Sequence, residues 1–144
     1  MSAPISEFRL KRRVQFYETD TAGIVHFSVF FRYMEEAEHA MWREAGLSIA
    51  PPQARIGFPR VATSFEFFRP LRFEDEFEVI LRIARKSEKS LSYTAEIQAD
   101  GNTVATGALT IACVTKVPGA PMRGTPIPTE IADRFTEAPG AESS

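Results

Sequence analysis

The chain has 144 residues, 44% hydrophobic and 25% charged, which is the balance of a globular domain and excludes a disordered or fibrous chain. Seventeen Lys and Arg against nineteen Asp and Glu give a net charge of −2, so no basic field attracts nucleic acid. One cysteine and two histidines exclude a disulfide framework and supply almost no metal ligands, so we predict no metal site.

The N-terminus has no signal-peptide pattern, and no stretch of the sequence approaches the ~20 apolar residues of a membrane span. We therefore expect a cytoplasmic protein with no membrane partner. Residues 1–7 are expected to be flexible, and residues 8–116 to form one domain. Residues 117–136, which hold four of the ten prolines, are expected to be irregular with at most a short helix over 129–136. Residues 137–144 are expected to be disordered.

The first half of the chain predicts one strand and one long helix. Apolar alternation over residues 8–17 predicts the strand, and a turn follows at 19–23. Helical spacing then runs from Ser28, a candidate N-cap, to Gly46, a candidate C-terminal stop. Its apolar face comprises Phe30, Tyr33, Met34, Ala37, Ala40, Met41 and Ala45. The opposite face is expected to be covered by Arg32, Glu35, Glu36, Glu38 and Arg43.

The rest of the domain predicts strands. Alternation indicates strands over 60–69, 76–86, 91–99 and 103–115, with a tight turn at 100–102. The last strand is apolar on both faces, so we expect it near the centre of the sheet. Together the elements predict an α+β domain, a five-stranded antiparallel sheet wrapped around one helix. The phenylalanines expected in the core and subunit interface are Phe65, Phe67, Phe68, Phe73 and Phe77.

The segment 14–38 carries the candidate chemistry. Asp20 lies in the turn after the first strand, Gly23 allows close backbone approach, and the helix begins a few residues later. Free N–H groups at the helix start can polarise a carbonyl oxygen. A carboxylate aimed at the same carbonyl can attack it or deprotonate a water that does. Taken alone, an aspartate in such a turn is more often a turn or cap residue.

The turn reads YETDTAGIV from Tyr17 to Val25 and leads into an aromatic helix opening and Glu-Glu-Ala. This pattern resembles the hotdog-fold acyl-CoA thioesterases, and within them the 4-hydroxybenzoyl-CoA thioesterase (YbgC-like) branch, over roughly residues 8–116. The resemblance implies that Asp20 is the catalytic carboxylate and that the Phe27 N–H polarises the thioester carbonyl. The chain departs from many members at His26-Phe27, where they have Tyr-His, and at Val29, where they tend to have Asn. These departures alter the lining of the acyl pocket, for which Phe27, Phe30 and Phe31 are candidates.

The same resemblance implies the reaction and the assembly. An aromatic or medium-chain acyl-CoA would be hydrolysed to the free acid and CoA, with CoA as part of the substrate and no separate cofactor. Acyl-carrier protein is an alternative carrier. The minimal unit would be a homodimer with its sites at the subunit interface, and often a homotetramer.

His26 is expected to line the pocket or orient groups near Asp20. A hydratase of the same fold class uses an Asp-x4-His pattern, whereas the spacing from Asp20 to His26 is one residue longer, so a hydratase or dehydratase is one alternative. A non-catalytic acyl-CoA-binding protein is the other. His39 is expected on the helix surface, and Cys113 as a buried apolar residue without a nucleophilic role.

Basic residues crowd the predicted turn between the strands at 76–86 and 91–99. Cationic side chains there suit the diphosphate and 3′-phosphate of CoA. The resembled family also has a basic residue followed by Ser at the position of Lys89-Ser90. The candidate nucleotide-binding residues are therefore Arg85, Lys86, Lys89 and Ser90. The alternative is that these are solvated edge charges that discourage sheet aggregation.

Overall fold

The computed structural model describes residues 3–141 and contains one five-stranded antiparallel sheet in the order β1-β4-β5-β6-β3. A long helix, α1, packs against β1 and β4 on one face of this sheet. The predicted α+β class, with five strands and one long helix, is confirmed. The strands of the large sheet are β1 (Glu7–Arg13), β3 (Arg60–Phe67), β4 (Glu76–Lys86), β5 (Ser90–Ala99) and β6 (Asn102–Ala112). The remaining elements are α1 (Val29–Glu44), the two-stranded sheet of β2 (Ile56–Gly57) and β7 (Val114–Thr115), and a short α2 (Thr129–Ala132).

Helix α1 buries one stripe of side chains against the sheet, as its apolar spacing predicts. The helix ends where Gly46 adopts φ +80°, and the Gly46 and Leu47 N–H groups bond back to Arg43 and Trp42 carbonyls. This is the glycine-terminated helix end that the sequence predicted. Between residues 3 and 141, neither helix has the length and apolar character needed to cross a membrane.

The prediction that Glu38 lies on the exposed polar face of α1 is wrong, because its side chain is completely buried. Arg60 at the start of β3 donates to its Oε1 at 2.5 Å, while Oε2 has no hydrogen-bond partner within the described chain. Burial raises the pKa of Glu38, and the charge of Arg60 opposes that rise. His39 is partly exposed, with Nε2 3.8 Å from Glu38 Oε1. The ion pair with Arg60 of β3 therefore allows the Glu38 carboxylate to be buried. The periodicity of α1 alone does not reveal this partner.

The strand boundaries differ from prediction at both ends of the sheet. The first strand stops at Arg13, because the chain then enters a 3₁₀ turn over Phe16–Glu18. The last predicted strand divides at Cys113, whose N–H leaves the sheet to bond Lys89 O at 2.7 Å. In the sheet, β5 is the central strand, and β6, the last long strand, lies directly beside it, near the centre as its two apolar faces predicted. Cys113 is fully buried as expected, and burial raises the pKa of its thiol.

The two edges of the sheet differ in chemistry. On β1 the exposed positions carry charged residues, and some of these form ion pairs with β4, such as Arg9 with Glu78 and Glu7 with Arg82. On β3 nearly every residue is exposed, including Val61 at 58% and Phe67 at 44%. Charged edges resist strand addition, whereas an apolar unpaired edge invites it. The edge formed by β3 is therefore the one suited to pairing with another chain.

The C-terminal segment 123–141 packs along the end of the sheet where β4 turns into β5. Phe135 is buried with its ring 5.3 Å from that of Trp42, and its backbone bridges to Ile5. The Ala138 N–H donates to Ile83 O at 2.8 Å. Two residues expected to be flexible or disordered thus have backbone hydrogen-bond partners: Ile5 bonds to Arg134 and Thr136, which follow α2, and Ala138 bonds to Ile83 of β4. Residues 1–2 and 142–144 lie outside the described residues.

Candidate active site

Asp20 occupies a tight loop between the 3₁₀ turn and α1. Its N–H donates to Ile24 O at 2.9 Å, and the Gly23 N–H donates to Asp20 O at 3.0 Å. Gly23 adopts φ +80°, a conformation that favours glycine, so this residue shapes the loop. The Asp20 side chain is exposed, and its Oδ1 accepts the Ala22 N–H at 2.8 Å. Within residues 3–141 no group donates to Oδ2, so one carboxylate oxygen is available to a ligand.

The main-chain N–H of Phe27 has no acceptor among the described residues. The N–H groups that follow are used locally, since Val29 donates to His26 O and Phe30 donates to Phe27 O. Ser28 lies at the N-cap position that the sequence predicted, but its side chain does not cap the helix. Its backbone is already helical, and its hydroxyl bonds to His26 rather than to a helical N–H. An unused N–H at the positive end of a helix is a donor for an oxyanion.

His26 lies in the same loop, but its ring is engaged locally. Nδ1 is 2.8 Å from the Ser28 hydroxyl and accepts the Ser28 N–H at 3.2 Å. Both contacts involve Nδ1, so this ring nitrogen is already engaged within the loop. The ring also lies against Phe27, with 4.5 Å between centroids. No hydrogen bond joins Asp20 to His26 in the part of the chain that the structure describes.

Glu18 is a buried carboxylate beside this loop that sequence reasoning missed. Arg12 of β1 donates to both of its oxygens, at 2.8 and 2.5 Å, and Tyr33 of α1 donates to Oε1 at 2.9 Å. The Gln15 N–H also donates to Oε1, at 2.8 Å. Burial raises the pKa of Glu18, but the bonds from Arg12, Gln15 and Tyr33 outweigh it and hold that pKa below its usual value. The one available signal was the capping-box spacing of Gln15 and Glu18.

The aromatic residues around the loop divide by exposure. Phe16, Tyr17 and Phe27 are 74%, 80% and 62% exposed, whereas Phe30 is buried and meets Phe65 and Phe67 of β3. Of the three phenylalanines expected near the acyl pocket, Phe30 therefore belongs to the core. No group of three or more His, Cys, Asp or Glu residues between residues 3 and 141 is arranged to hold a metal ion.

The four basic-turn candidates are not equivalent. Lys86 Nζ donates to the carbonyls of Ala132 and Phe135, at 3.0 and 2.9 Å, so its charge secures the C-terminal segment. The Ser90 hydroxyl is 2.5 Å from the hydroxyl of Ser87 within the turn. Arg85 and Lys89 are exposed, and neither forms an ion pair within the described residues. Of the four candidates, only Arg85 and Lys89 therefore have a cationic group that no other described residue engages.

Arg123 is a further cation near this turn that sequence reasoning did not single out. The Thr115 N–H donates to Arg123 O at 2.7 Å, which holds the segment against β7. The neighbouring Gly124 lies close to the side chain of Lys89. Arg123 lies in the proline-rich stretch 117–136, which was expected to be irregular, so no predicted element assigned it a position. Its position depends on pairing with β7, for which the local sequence gives no pattern.

Asp20 and the basic turn lie at opposite ends of the sheet in one chain. Arg13, at the end of β1, pairs with Glu76 at the start of β4, and Asp20 follows Arg13 at that end. The basic turn comes after Lys86, at the other end of β4. Ten residue steps along β4 correspond to roughly 30 Å. One copy of the chain therefore does not bring the two groups of candidate residues together.

Comparison with known proteins places the chain in a family. A family model described as the thioesterase-like superfamily matches residues 14–135. A 1,4-dihydroxy-2-naphthoyl-CoA hydrolase of Synechococcus sp. (strain CC9311) is 30% identical over 108 residues, which cover 69% of this chain and 71% of the relative. The acyl-CoA thioester hydrolase YbgC of Escherichia coli O6:H1 is 29% identical, covering 67% and 73%.

Solved structures agree with the sequence comparison. The crystal structure of Slr0204, a 1,4-dihydroxy-2-naphthoyl-CoA thioesterase from Synechocystis, superposes with a TM-score of 0.80 at 25% identity. The match covers 88% of this chain and 96% of that one. The hotdog arrangement implied by the turn motif is confirmed. The chain belongs to the thioesterase-like superfamily.

Proposed function

We propose that the protein is an acyl-CoA thioesterase that hydrolyses a thioester to a carboxylic acid and free CoA. The observation that carries this proposal is the loop that combines the exposed Asp20 carboxylate with the unused Phe27 N–H at the start of α1. The family match and the thioester hydrolases among the relatives support the same reaction class. Because those relatives include hydrolases of 1,4-dihydroxy-2-naphthoyl-CoA, an aromatic acyl group is the first choice of substrate.

In the proposed reaction the Phe27 N–H donates to the thioester oxygen and stabilises the negative charge that develops there. Asp20 acts in one of two ways. As a nucleophile it adds to the carbonyl carbon, the C–S bond breaks, and water then cleaves the resulting anhydride. As a general base it removes a proton from the water that adds directly. Both routes consume one water and release the acid and the CoA thiol.

Neither route needs a cofactor, and CoA enters as part of the substrate. Acyl-carrier protein presents the same thioester and is the alternative carrier. We place the reaction in the cytoplasm, in keeping with the free thiol of Cys113. A hydratase would instead require His26 to act with Asp20 on water, and the bonding of His26 to Ser28 disfavours that role.

A substrate panel tests the proposed function. Benzoyl, hydroxybenzoyl, dihydroxynaphthoyl, octanoyl and palmitoyl esters of CoA are incubated with the enzyme, and the released CoA and acid are quantified by chromatography. The same preparation is tested for hydration of an enoyl-CoA. We expect hydrolysis, fastest with an aromatic acyl group, and no hydration. Hydration without hydrolysis would favour the hydratase, and binding without turnover would favour the non-catalytic alternative.

We also propose that the working unit is a homodimer formed through the exposed edge of β3, from which a homotetramer can be built. A two-fold axis at this edge would pair β3 with its copy in antiparallel fashion and extend the sheet. Because that axis reverses strand direction, the Asp20 end of one protomer would face the same way as its partner's basic turn. Free cations at Arg85 and Lys89 would then serve a site whose carboxylate belongs to the other chain.

Subunit complementation tests this arrangement. Asp20→Asn and the double variant Arg85→Glu/Lys89→Glu are each expected to be weakly active at low substrate concentration. After the two are unfolded and refolded together, half of the dimers are mixed, and each mixed dimer has one site with both elements intact. Activity should therefore recover to about a quarter of wild type. Recovery no greater than the mean of the separate variants would show that one chain supplies both elements.

A further inference from the structure

Glu18 connects the four segments that meet beneath the Asp20 loop. Its carboxylate accepts hydrogen bonds from Arg12 on β1, from the Gln15 N–H that opens the 3₁₀ turn, and from Tyr33 on α1. Its own carbonyl accepts the His26 N–H at 3.0 Å. Glu18 therefore joins the two sides of the loop. Asp20 lies two residues after Glu18, and Phe27 directly follows His26.

The surroundings of Glu18 make these contacts strong. The residue is 4% exposed, and the Arg12 guanidinium grips both carboxylate oxygens in a bidentate pair. Arg12 also lies 4.7 Å from the centre of the Tyr33 ring and bonds to Glu36 on the next turn of α1. A charged, hydrogen-bonded cluster with little access to water holds its members in one geometry. The loop above it is largely exposed, and the Glu18 cluster supports one side of it while the Val25 N–H, which donates to Leu71 O at 2.8 Å, supports the other.

We propose that Glu18 is a positioning residue for the reaction: Arg12 and Tyr33 hold its side chain, and its backbone, bonded to the His26 N–H, aligns the Asp20 carboxylate with the Phe27 N–H. This inference rests on the proposed thioesterase function. Glu18 is buried and makes no contact with substrate in this role. Its effect is therefore on the chemical step, because a displaced carboxylate loses rate even when the substrate still binds.

Glu18→Gln is the principal test, with Glu36→Gln as the matched control. Glu36 gives Arg12 a carboxylate of the same kind but contacts no atom of the loop among the residues described. We expect Glu18→Gln to lower kcat by roughly 30-fold or more with KM within about threefold. Glu36→Gln should stay within about threefold of wild type, and Glu18→Asp should recover part of the lost kcat. A folded Glu18→Gln enzyme with kcat within about threefold of wild type, or an equal loss in Glu36→Gln, would overturn the proposal.

Two further measurements keep the test decisive. Hydrogen exchange at amides 20–27 should be faster in Glu18→Gln than in wild type, while exchange in β4 and β5 is unchanged. Unchanged exchange in the loop would contradict a positioning role for Glu18.

If Glu18→Gln does not fold, Tyr33→Phe is the second variant. It removes one of the four hydrogen bonds to the Glu18 carboxylate and should give a smaller loss of kcat at unchanged KM. A wild-type protein that hydrolyses no thioester would refute the proposed function, whereas the exchange measurement would still decide the role of Glu18.

Discussion

Asp20→Asn should lower kcat for thioester hydrolysis by at least about 100-fold, in the range that general acid–base groups contribute. The side chain keeps its shape, and its carbonyl oxygen can still accept the Ala22 N–H, so the loop should keep its fold. What is lost is the negative charge, and with it the ability to attack the carbonyl or to take a proton from water. The measurement is steady-state kinetics on the best substrate of the panel.

Asp100→Asn provides the control for this substitution. Asp100 is an exposed aspartate in the turn between β5 and β6, where its φ of 51° is also suitable for Asn. We expect its kcat to equal that of wild type. An Asp20→Asn enzyme with unchanged circular dichroism and activity within about tenfold of wild type would remove Asp20 from the mechanism, since tenfold is a barrier change of only about 1.4 kcal/mol.

Phe135→Ala should destabilise the fold by about 3–5 kcal/mol, the usual cost of removing a buried aromatic ring. Phe135 is 1% exposed and packs on Trp42, which also contacts Phe58. Its loss leaves a cavity and loosens the C-terminal segment whose carbonyls accept the Lys86 ammonium. Urea unfolding at a fixed protein concentration measures the change, because stability depends on concentration if the chain is a dimer.

The neighbouring exposed residue supplies the comparison for Phe135. Thr136→Ala changes a side chain on the surface and should alter the free energy of unfolding by no more than about 0.5 kcal/mol. Phe135→Ala should also make the C-terminal segment more sensitive to proteolysis. If Phe135→Ala costs less than about 1 kcal/mol, the segment does not anchor the end of the sheet.

Much of the fold was predictable, because local patterns specify it. The apolar stripe from Phe30 to Ala45 predicted α1, Gly46 predicted its end, and the sequence at 100–102 predicted the turn between β5 and β6. The loop that holds Asp20 was predictable for a related reason. The residues that form it are close together in the sequence: Asp20 supplies the carboxylate, Gly23 the tight turn, and the helix begins near Ser28.

The remaining features depend on partners that are distant in the chain. Glu38 is buried because Arg60 reaches it, and Lys86 is a structural cation because the C-terminal segment folds back onto it. Glu18 is similar, since Arg12 and Tyr33 come from different elements. Composition and periodicity place such residues on a face or in a turn. They do not indicate which opposing side chain will approach.

Burial of Cys113 has a practical consequence for kinetics with thiol-reactive dyes. It is the one cysteine in the sequence, it is inaccessible in the native fold, and burial raises the pKa of its thiol, which suppresses the reactive thiolate. A disulfide dye added to the folded enzyme should therefore react with liberated CoA and leave the protein unmodified. A slow absorbance change from modification of the protein would then report opening of the chain around Cys113. The rate of that change would measure local unfolding.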